Sequence, residues 1–239
     1  MQKIWYNYRK QTNLEVFMIS CDRFCETYWA HYISLEKEFT NTLRYVTLDS
    51  NNYTTYSEAY FKLLLAIGSE VDVILKTYCE LIDSSFNGDN IVDYRNCINI
   101  NKPAFFTQEV IVQEDKIKLR PWDNHDASGA ICSPCWWTAY NKCKHNRTDL
   151  GTIAGKTQEF FKFANMEYAL NALAGLYQVI LYAYKILATA ENNKVEVPLP
   201  GSRLFKLNGA DWDNVQFFGD FATYIDNGVF SIVTSTIHY

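Results

Sequence analysis

Residues 169–190 read ALNALAGLYQVILYAYKILATA, and this apolar stretch constrains the fold more than any other feature. A helix of about 20 apolar residues can span a bilayer, so the stretch predicts either a membrane span or the central helix of a protein core. Asn171, Gln178 and Lys185 interrupt it, and charged groups are costly inside a membrane. No second stretch of this kind accompanies it. We therefore expect a core helix and no membrane association.

The composition is that of an ordinary globular protein. The chain has 239 residues, of which 48% are hydrophobic and 21% charged, so it can bury a sizeable core. The net charge of −5 excludes a uniformly basic nucleic-acid coat but allows a local basic patch. Seven cysteines, an odd number, follow an N-terminus without the apolar core of a secretory signal. These features predict free thiols in a cytoplasmic protein.

Apolar residues recur every three or four positions over long segments, which is the pattern of amphipathic helices. Ser57 is placed to cap one helix, and Gly68 within that helix marks close packing or a kink. Three long helices and two short ones are predicted, at 21–46, 57–83 and 160–190 and at 90–100 and 136–147.

The segment EVIVQEDKIKLRPW at residues 109–122 alternates around a polar turn and predicts a β-hairpin. Residues 124–134 read as a loop and 149–156 as a mobile or tightly turned loop, and LFKL and VFSIVTSTI in the tail read as short strands. The expected fold is therefore mainly α, a helical bundle with a small hairpin and short C-terminal strands. We expect one helical domain over 1–195, with 196–239 as an extension that packs on it.

Cys132 and Cys135 form a C-x-x-C motif, which raises the alternative of a structural zinc site. Cys143, His145 and His125 are the nearest further ligands in the sequence. No second C-x-x-C or H-x-x-x-H follows at zinc-finger spacing, and cysteine is also a common buried residue. We therefore predict thiols without a metal, and we keep a zinc-stapled scaffold as an alternative.

Familiar catalytic signatures are absent from the sequence: GxGxxG, GxSxG and a Walker loop do not occur. Glu70 lies between apolar stripe residues of the second long helix, so it either faces a groove or belongs to a solvated face. Asp72 and Lys76 are four residues apart, the spacing of an ordinary surface ion pair.

The stretch AYNKCKHNR at residues 139–147 follows two adjacent tryptophans and combines cations with a histidine. Arginine offers a planar fork to phosphate oxygens, and histidine can transfer a proton near neutral pH. Such groups suit metal-independent RNA cleavage through the 2′-hydroxyl. The other interpretation is a basic helix C-terminus that interacts favourably with the helix dipole. A regular helix would place six side chains on one side: Tyr140, Asn141, Lys144, His145, Arg147 and Thr148.

The pattern Asn141-x-x-Lys144-His145 on a short helix, followed by a long core helix, resembles the HEPN superfamily (higher eukaryotes and prokaryotes nucleotide-binding). The resemblance extends over residues 20–190 and includes SEVDVILK and FANMEYALNALAGLY. HEPN domains are helical bundles, often dimeric, and many are ribonucleases of toxin–antitoxin, abortive-infection and CRISPR systems. Their motif is Arg, a polar residue, three variable residues and His, so Tyr140 stands at the arginine position here.

The resemblance implies that His145 is the catalytic histidine and that Asn141 is its polar helper. Tyr140, Lys144 and Arg147 would then contact the phosphate.

Glu70 and Lys76 would join this site from the facing helix. The resemblance thus implies a metal-independent endoribonuclease of a bacterial defence or toxin-type system, which acts as a homodimer with a composite site and without a cofactor. RNA and a partner protein of the defence system are the expected partners. The alternative is a non-catalytic RNA-binding or protein-interaction module of the same fold, which the tyrosine at position 140 favours.

Overall fold

The computed structural model describes residues 19–113, 117–192, 198–209 and 212, together with the backbone of two strands at 221–226 and 229–234. Residues 191 and 192 are likewise described in the backbone alone. The centre of the predicted hairpin turn, at 114–116, and the end of the last predicted strand, at 235–237, lie outside the described residues.

The fold is mainly α, as predicted. The first helical segment is continuous and consists of α1 (Cys21–Phe24), a π turn (Cys25–Trp29) and α2 (Ala30–Thr42). The other α-helices of the described ranges are α3 (Glu58–Ile82), α4 (Ile91–Asn101), α5 (Cys135–His145) and α6 (Met166–Asn192).

Helices α3 and α6 form the centre of the core and make the most extensive contact between any two described elements. From Ala169 to Leu181, α6 has only one residue that is not fully buried, Asn171. Its one fully buried amide, Gln178, donates a hydrogen bond of 2.7 Å to the backbone oxygen of Phe105, which partly satisfies a polar group that would be costly without a partner. Helices α2 and α5 pack on the same pair.

Polar caps explain where these helices begin. The Ser57 hydroxyl accepts from the Tyr60 N–H, as predicted, and the Asn90 side chain accepts from Val92 and Asp93. The predicted start of the last helix at residue 160 is wrong, because residues 160–163 form a 3-10 turn. Asn165 then accepts from the Tyr168 N–H and starts α6.

The described residues also form three small antiparallel sheets. The predicted hairpin is confirmed as β1 (Val110–Val112) and β2 (Lys118–Leu119), and β5 (Phe205–Leu207) pairs with the other edge of β1. Strands β3 (Leu150–Ile153) and β4 (Lys156–Glu159) form a second sheet, and β6 (Phe221–Asp226) and β7 (Val229–Thr234) form a third.

The stretch 149–156, predicted as a mobile or tightly turned loop, contains a tight turn at 154–155, but strands β3 and β4 flank that turn and form a hairpin. Ala154 and Gly155 both adopt positive φ, at 49° and 76°. Two consecutive residues of positive φ make the turn that suits the twist of a two-residue hairpin. The sequence does not predict this hairpin, because alanine rarely adopts a positive φ.

The tail segment 198–209 is fastened to the helical body by a buried carboxylate. Glu36 of α2 is 5% exposed and accepts hydrogen bonds from the hydroxyls of Tyr32 and Ser202. It also accepts from the backbone N–H groups of Arg203 and Leu204, at 2.8 and 3.3 Å.

Among the described residues, one helix is long and apolar enough to cross a bilayer, namely Met166–Ala190. In its most apolar window, 72% of the residues are buried inside the protein. One such helix is weak support for a membrane span, and this degree of burial fits the core helix of a soluble protein.

Candidate functional site

Helix α5 presents one face to the solvent and the rest to the core. It begins directly after Pro134 and ends at His145, with Asn146 as its C-terminal cap. The predicted helix continued to residue 147, so Arg147 lies in the following turn rather than on the helix. The outward face is spaced at i, i+3, i+4 and i+7 and consists of half-buried Thr138 and Asn141 and exposed Lys142 and His145.

Tyr140 lies on the opposite side of α5, in the core. It is 4% exposed, and its ring lies 5.2 Å from that of Trp137. It also packs on Gly68 of α3, where an added Cβ would overlap the ring and approach its Cε2 atom to 2.7 Å. The set of residues expected on one side of α5 is therefore divided between two faces, because the two tryptophans and Tyr140 form the buried stripe.

Lys144 extends along the buried tyrosine toward α3. Its Nζ atom lies 3.4 Å from the Tyr140 hydroxyl and 5.5 Å from the centroid of the ring. Burial raises the pKa of Asp72 on α3, and the charge of Lys144 is the largest influence opposing that rise. Lys144 is thus an exposed cation, and the negative charge of Asp72 partly offsets its positive charge.

The carboxylate that faces α5 is therefore Asp72 and not Glu70. Burial also raises the pKa of Glu70, but the opposing charge there is His31 of α2. Lys76 is exposed one turn after Asp72, and its charge acts weakly on that carboxyl group. The structure thus brings Lys144 and Lys76 near Asp72 and places Glu70 toward another helix. The i, i+4 spacing of Asp72 and Lys76 was visible in the sequence, but nothing there showed that Asp72 faces α5.

His145 and Asn141 are neighbours on the outward face of α5. The Asn141 side chain donates a hydrogen bond of 3.2 Å to the Trp137 carbonyl one turn earlier, which holds the amide along the helix. His145 is exposed, and within the described part of the chain its imidazole makes no hydrogen bond or ion pair. The exposed imidazole can therefore contact a ligand.

Arg147 is held by an aromatic ring rather than by a carboxylate. Its guanidinium carbon lies 4.1 Å from the centroid of the Phe61 ring, a cation–π contact, and the residue is exposed. Lys142 lies 5.5 Å from the Phe160 centroid in the same way. The nearest acid in the sequence, Asp149, accepts a hydrogen bond from the Asn146 amide at 3.1 Å.

The cysteines and histidines considered for zinc do not form a ligand cluster. Within the described ranges, no group of three or more His, Cys, Asp or Glu side chains is placed to hold a metal ion. Cys143 is buried and donates its thiol to the Phe160 carbonyl at 3.0 Å, and burial raises its pKa to about 11. His125 instead contacts Asp123, with an Nδ1–Oδ1 distance of 3.0 Å.

Comparison of the chain with family models, with curated proteins and with solved structures finds no match.

Proposed function

We propose that the exposed end of α5 is an RNA-binding site. The observation that carries this proposal is that three exposed cations, Lys142, Lys144 and Arg147, lie within three residues of exposed His145, and none of them forms an ion pair with a described carboxylate. In a chain of net charge −5, such a set of unpaired cations provides a local attraction for a polyanion. Neutralised phosphates release counterions, which gives such sites their affinity.

The arrangement of the side chains favours RNA over an unspecific polyanion. Arg147 contacts the Phe61 ring and is exposed, and a guanidinium can contact two phosphate oxygens at once. Asn141 and His145 add an amide and an imidazole within one helical turn. Both can hydrogen-bond to a ribose hydroxyl or to the edge of a base.

A second candidate function is metal-independent cleavage of the bound RNA. It is favoured by the accessibility of the His145 imidazole one turn from Asn141. In this reaction His145 accepts the proton of a 2′-hydroxyl, and the 2′-oxygen attacks the adjacent phosphorus to form a 2′,3′-cyclic phosphate. The bond from phosphorus to the 5′-oxygen breaks, and the 5′-oxygen leaves as a hydroxyl with a proton taken from water. The cations stabilise the added charge on phosphorus. Because Tyr140 is buried, Arg147 would take the place of the family's arginine.

The resemblance to the HEPN superfamily supports both candidates, and we propose that the helical bundle is a divergent member of it. The same resemblance supports a cytoplasmic homodimer in which two α5 helices meet across a two-fold axis. It further supports a role in a bacterial defence or toxin-type system with a partner protein. Sedimentation of the pure protein tests the dimer: a monomer at all concentrations contradicts it.

The binding function is tested with the pure protein and a fluorescein-labelled 12-nucleotide RNA at low salt. Saturable binding supports the proposal, and no binding contradicts it. Cleavage is tested on the same RNA with EDTA present. The cleavage candidate requires products that end in a 2′,3′-cyclic phosphate and their loss in His145→Ala, which should fold normally because residue 145 is exposed.

A further inference from the structure

Aromatic side chains continue the α5 surface beyond Arg147. Phe61, on which Arg147 stacks, has its ring centroid 5.4 Å from that of Phe161. Phe161 in turn contacts Tyr56, with 5.9 Å between ring centroids. Phe61 is buried and Phe161 is half-buried, whereas Tyr56 is 46% exposed. The series therefore runs from a phosphate-binding candidate to an aromatic ring at the surface.

Phe161 leaves at least one face of the Tyr56 ring uncovered. The Tyr56 and Phe161 planes are inclined at 82°. A T-shaped contact uses the edge of one ring and the face of the other, so Phe161 covers at most one face of Tyr56. An exposed aromatic face is the surface on which an unpaired nucleic-acid base stacks.

The backbone around Tyr56 is firmly placed. The carbonyl of Thr55 accepts from the Met166 N–H at 3.0 Å, and the carbonyl of Tyr53 accepts from the Glu167 N–H at 3.1 Å. Tyr56 itself forms a β-bridge with Asn165. Because this segment is tied to the start of α6, the ring needs little ordering when a ligand binds.

The charge near Tyr56 also suits a nucleic acid. Lys162 lies close enough to interact electrostatically with the tyrosine. Its ammonium is 3.0 Å from the Glu159 carboxylate, with both side chains partly exposed. Surface pairs of this kind are weak, so a phosphate can compete for Lys162.

We propose that Tyr56 is a base-stacking subsite for single-stranded RNA, in which the strand whose phosphate is held by Arg147 places one of its bases on the tyrosine ring. This inference rests on the proposed RNA-binding function. It adds that the ligand is single-stranded, because a base within a duplex cannot leave its stack without an energetic cost.

The test uses fluorescence anisotropy with two probes: labelled oligo(A) RNA of 12 nucleotides, and the same strand paired with oligo(U). Tyr56→Leu removes the aromatic ring, and Tyr56→Phe keeps it. Tyr45→Leu is the matched control, since Tyr45 is 89% exposed and makes no described ring contact. Base stacking on an aromatic side chain contributes about 1–3 kcal/mol, so Tyr56→Leu should weaken oligo(A) binding roughly 5- to 150-fold.

The stacking subsite further requires that Tyr56→Phe and Tyr45→Leu bind oligo(A) within about twofold of wild type. Duplex binding by Tyr56→Leu should likewise be unchanged, which also shows that this variant is folded. If the wild type binds oligo(A) but Tyr56→Leu does not weaken that binding, or Tyr56→Phe weakens it as much, the stacking subsite is wrong while the RNA-binding function stands. If the wild type binds neither probe, the RNA-binding function and the subsite are both wrong.

Discussion

Tyr140 packs directly on Gly68, so that the ring fills the space where any other residue would carry a Cβ atom. This contact joins α5 to α3 and determines which side of α5 faces the solvent. It therefore places Asn141 and His145 outward, because they lie about 100° and 140° around the helix from Tyr140.

Gly68→Ala should lower the free energy of unfolding by about 1–3 kcal/mol, because overpacking costs more than the gain in helix propensity of about 1 kcal/mol. Urea denaturation measures the change. Ser69→Ala, at the exposed neighbouring position, is the control and should have little effect. In the Tyr140→Leu background the cost of Gly68→Ala should shrink. An equal cost in both backgrounds would show that the two residues do not share this contact.

Asp72 should oppose both folding and RNA binding at neutral pH. Its pKa is raised chiefly by burial, so the folded state holds the proton more tightly than the unfolded state does. Stability is then lost as the pH rises from the ordinary value of 3.8 through the raised pKa. Asp72→Asn should therefore be more stable than wild type at pH 7 but not at pH 3.

The same substitution removes a negative charge near Lys144, so RNA should bind roughly twofold to fivefold more tightly at low salt. Glu80→Gln changes the charge equally at an exposed position of the same helix and should have a smaller effect on both stability and affinity. Equal effects of the two variants would count against a specific interaction of Asp72 with Lys144.

Glu36 should hold the tail segment 198–209 in place. Glu36→Ala removes the acceptor of four hydrogen bonds, three of which come from the tail segment, and each such hydrogen bond contributes about 1 kcal/mol or more to stability. Trypsin should then cleave after Arg203 under conditions in which the wild type is resistant. Glu38→Ala, at an exposed position of the same helix, is the control. Equal resistance of Glu36→Ala and wild type would contradict this role.

The long helices could be predicted from the sequence because burial imposes a period on their apolar residues. Ser57 and Gly68 were interpreted correctly, since a cap and a close approach each follow from local chemistry. The start of α6 could not be predicted, because the apolar pattern continues through residues 160–163, and Asn165 determines the start through its side-chain hydrogen bond.

The candidate site was predicted only in part. The sequence placed Asn141 and His145 one turn apart, but it did not show that Tyr140 belongs to the core. Likewise, Glu70 and Asp72 are only two positions apart on α3, but they lie near different helices. Asp72 is near Lys144 of α5, and Glu70 is near His31 of α2. Only the packing of α3 against these two helices shows the difference. The stacking of Arg147 on Phe61 joins residues 86 positions apart, which no local pattern reveals.

The salt dependence of RNA binding tests the central claim most directly. The measurement is the slope of log K against log salt concentration for the labelled 12-nucleotide RNA. Each phosphate contact in a single strand contributes about 0.7 to the slope, so Lys142→Gln/Arg147→Gln should reduce its magnitude by about 1.4. The control, Lys37→Gln/Lys102→Gln, removes the same charge at exposed positions outside α5 and should leave the slope unchanged. Equal slopes for wild type and the α5 variant, or no binding by the wild type, would contradict an RNA-binding site at the end of α5.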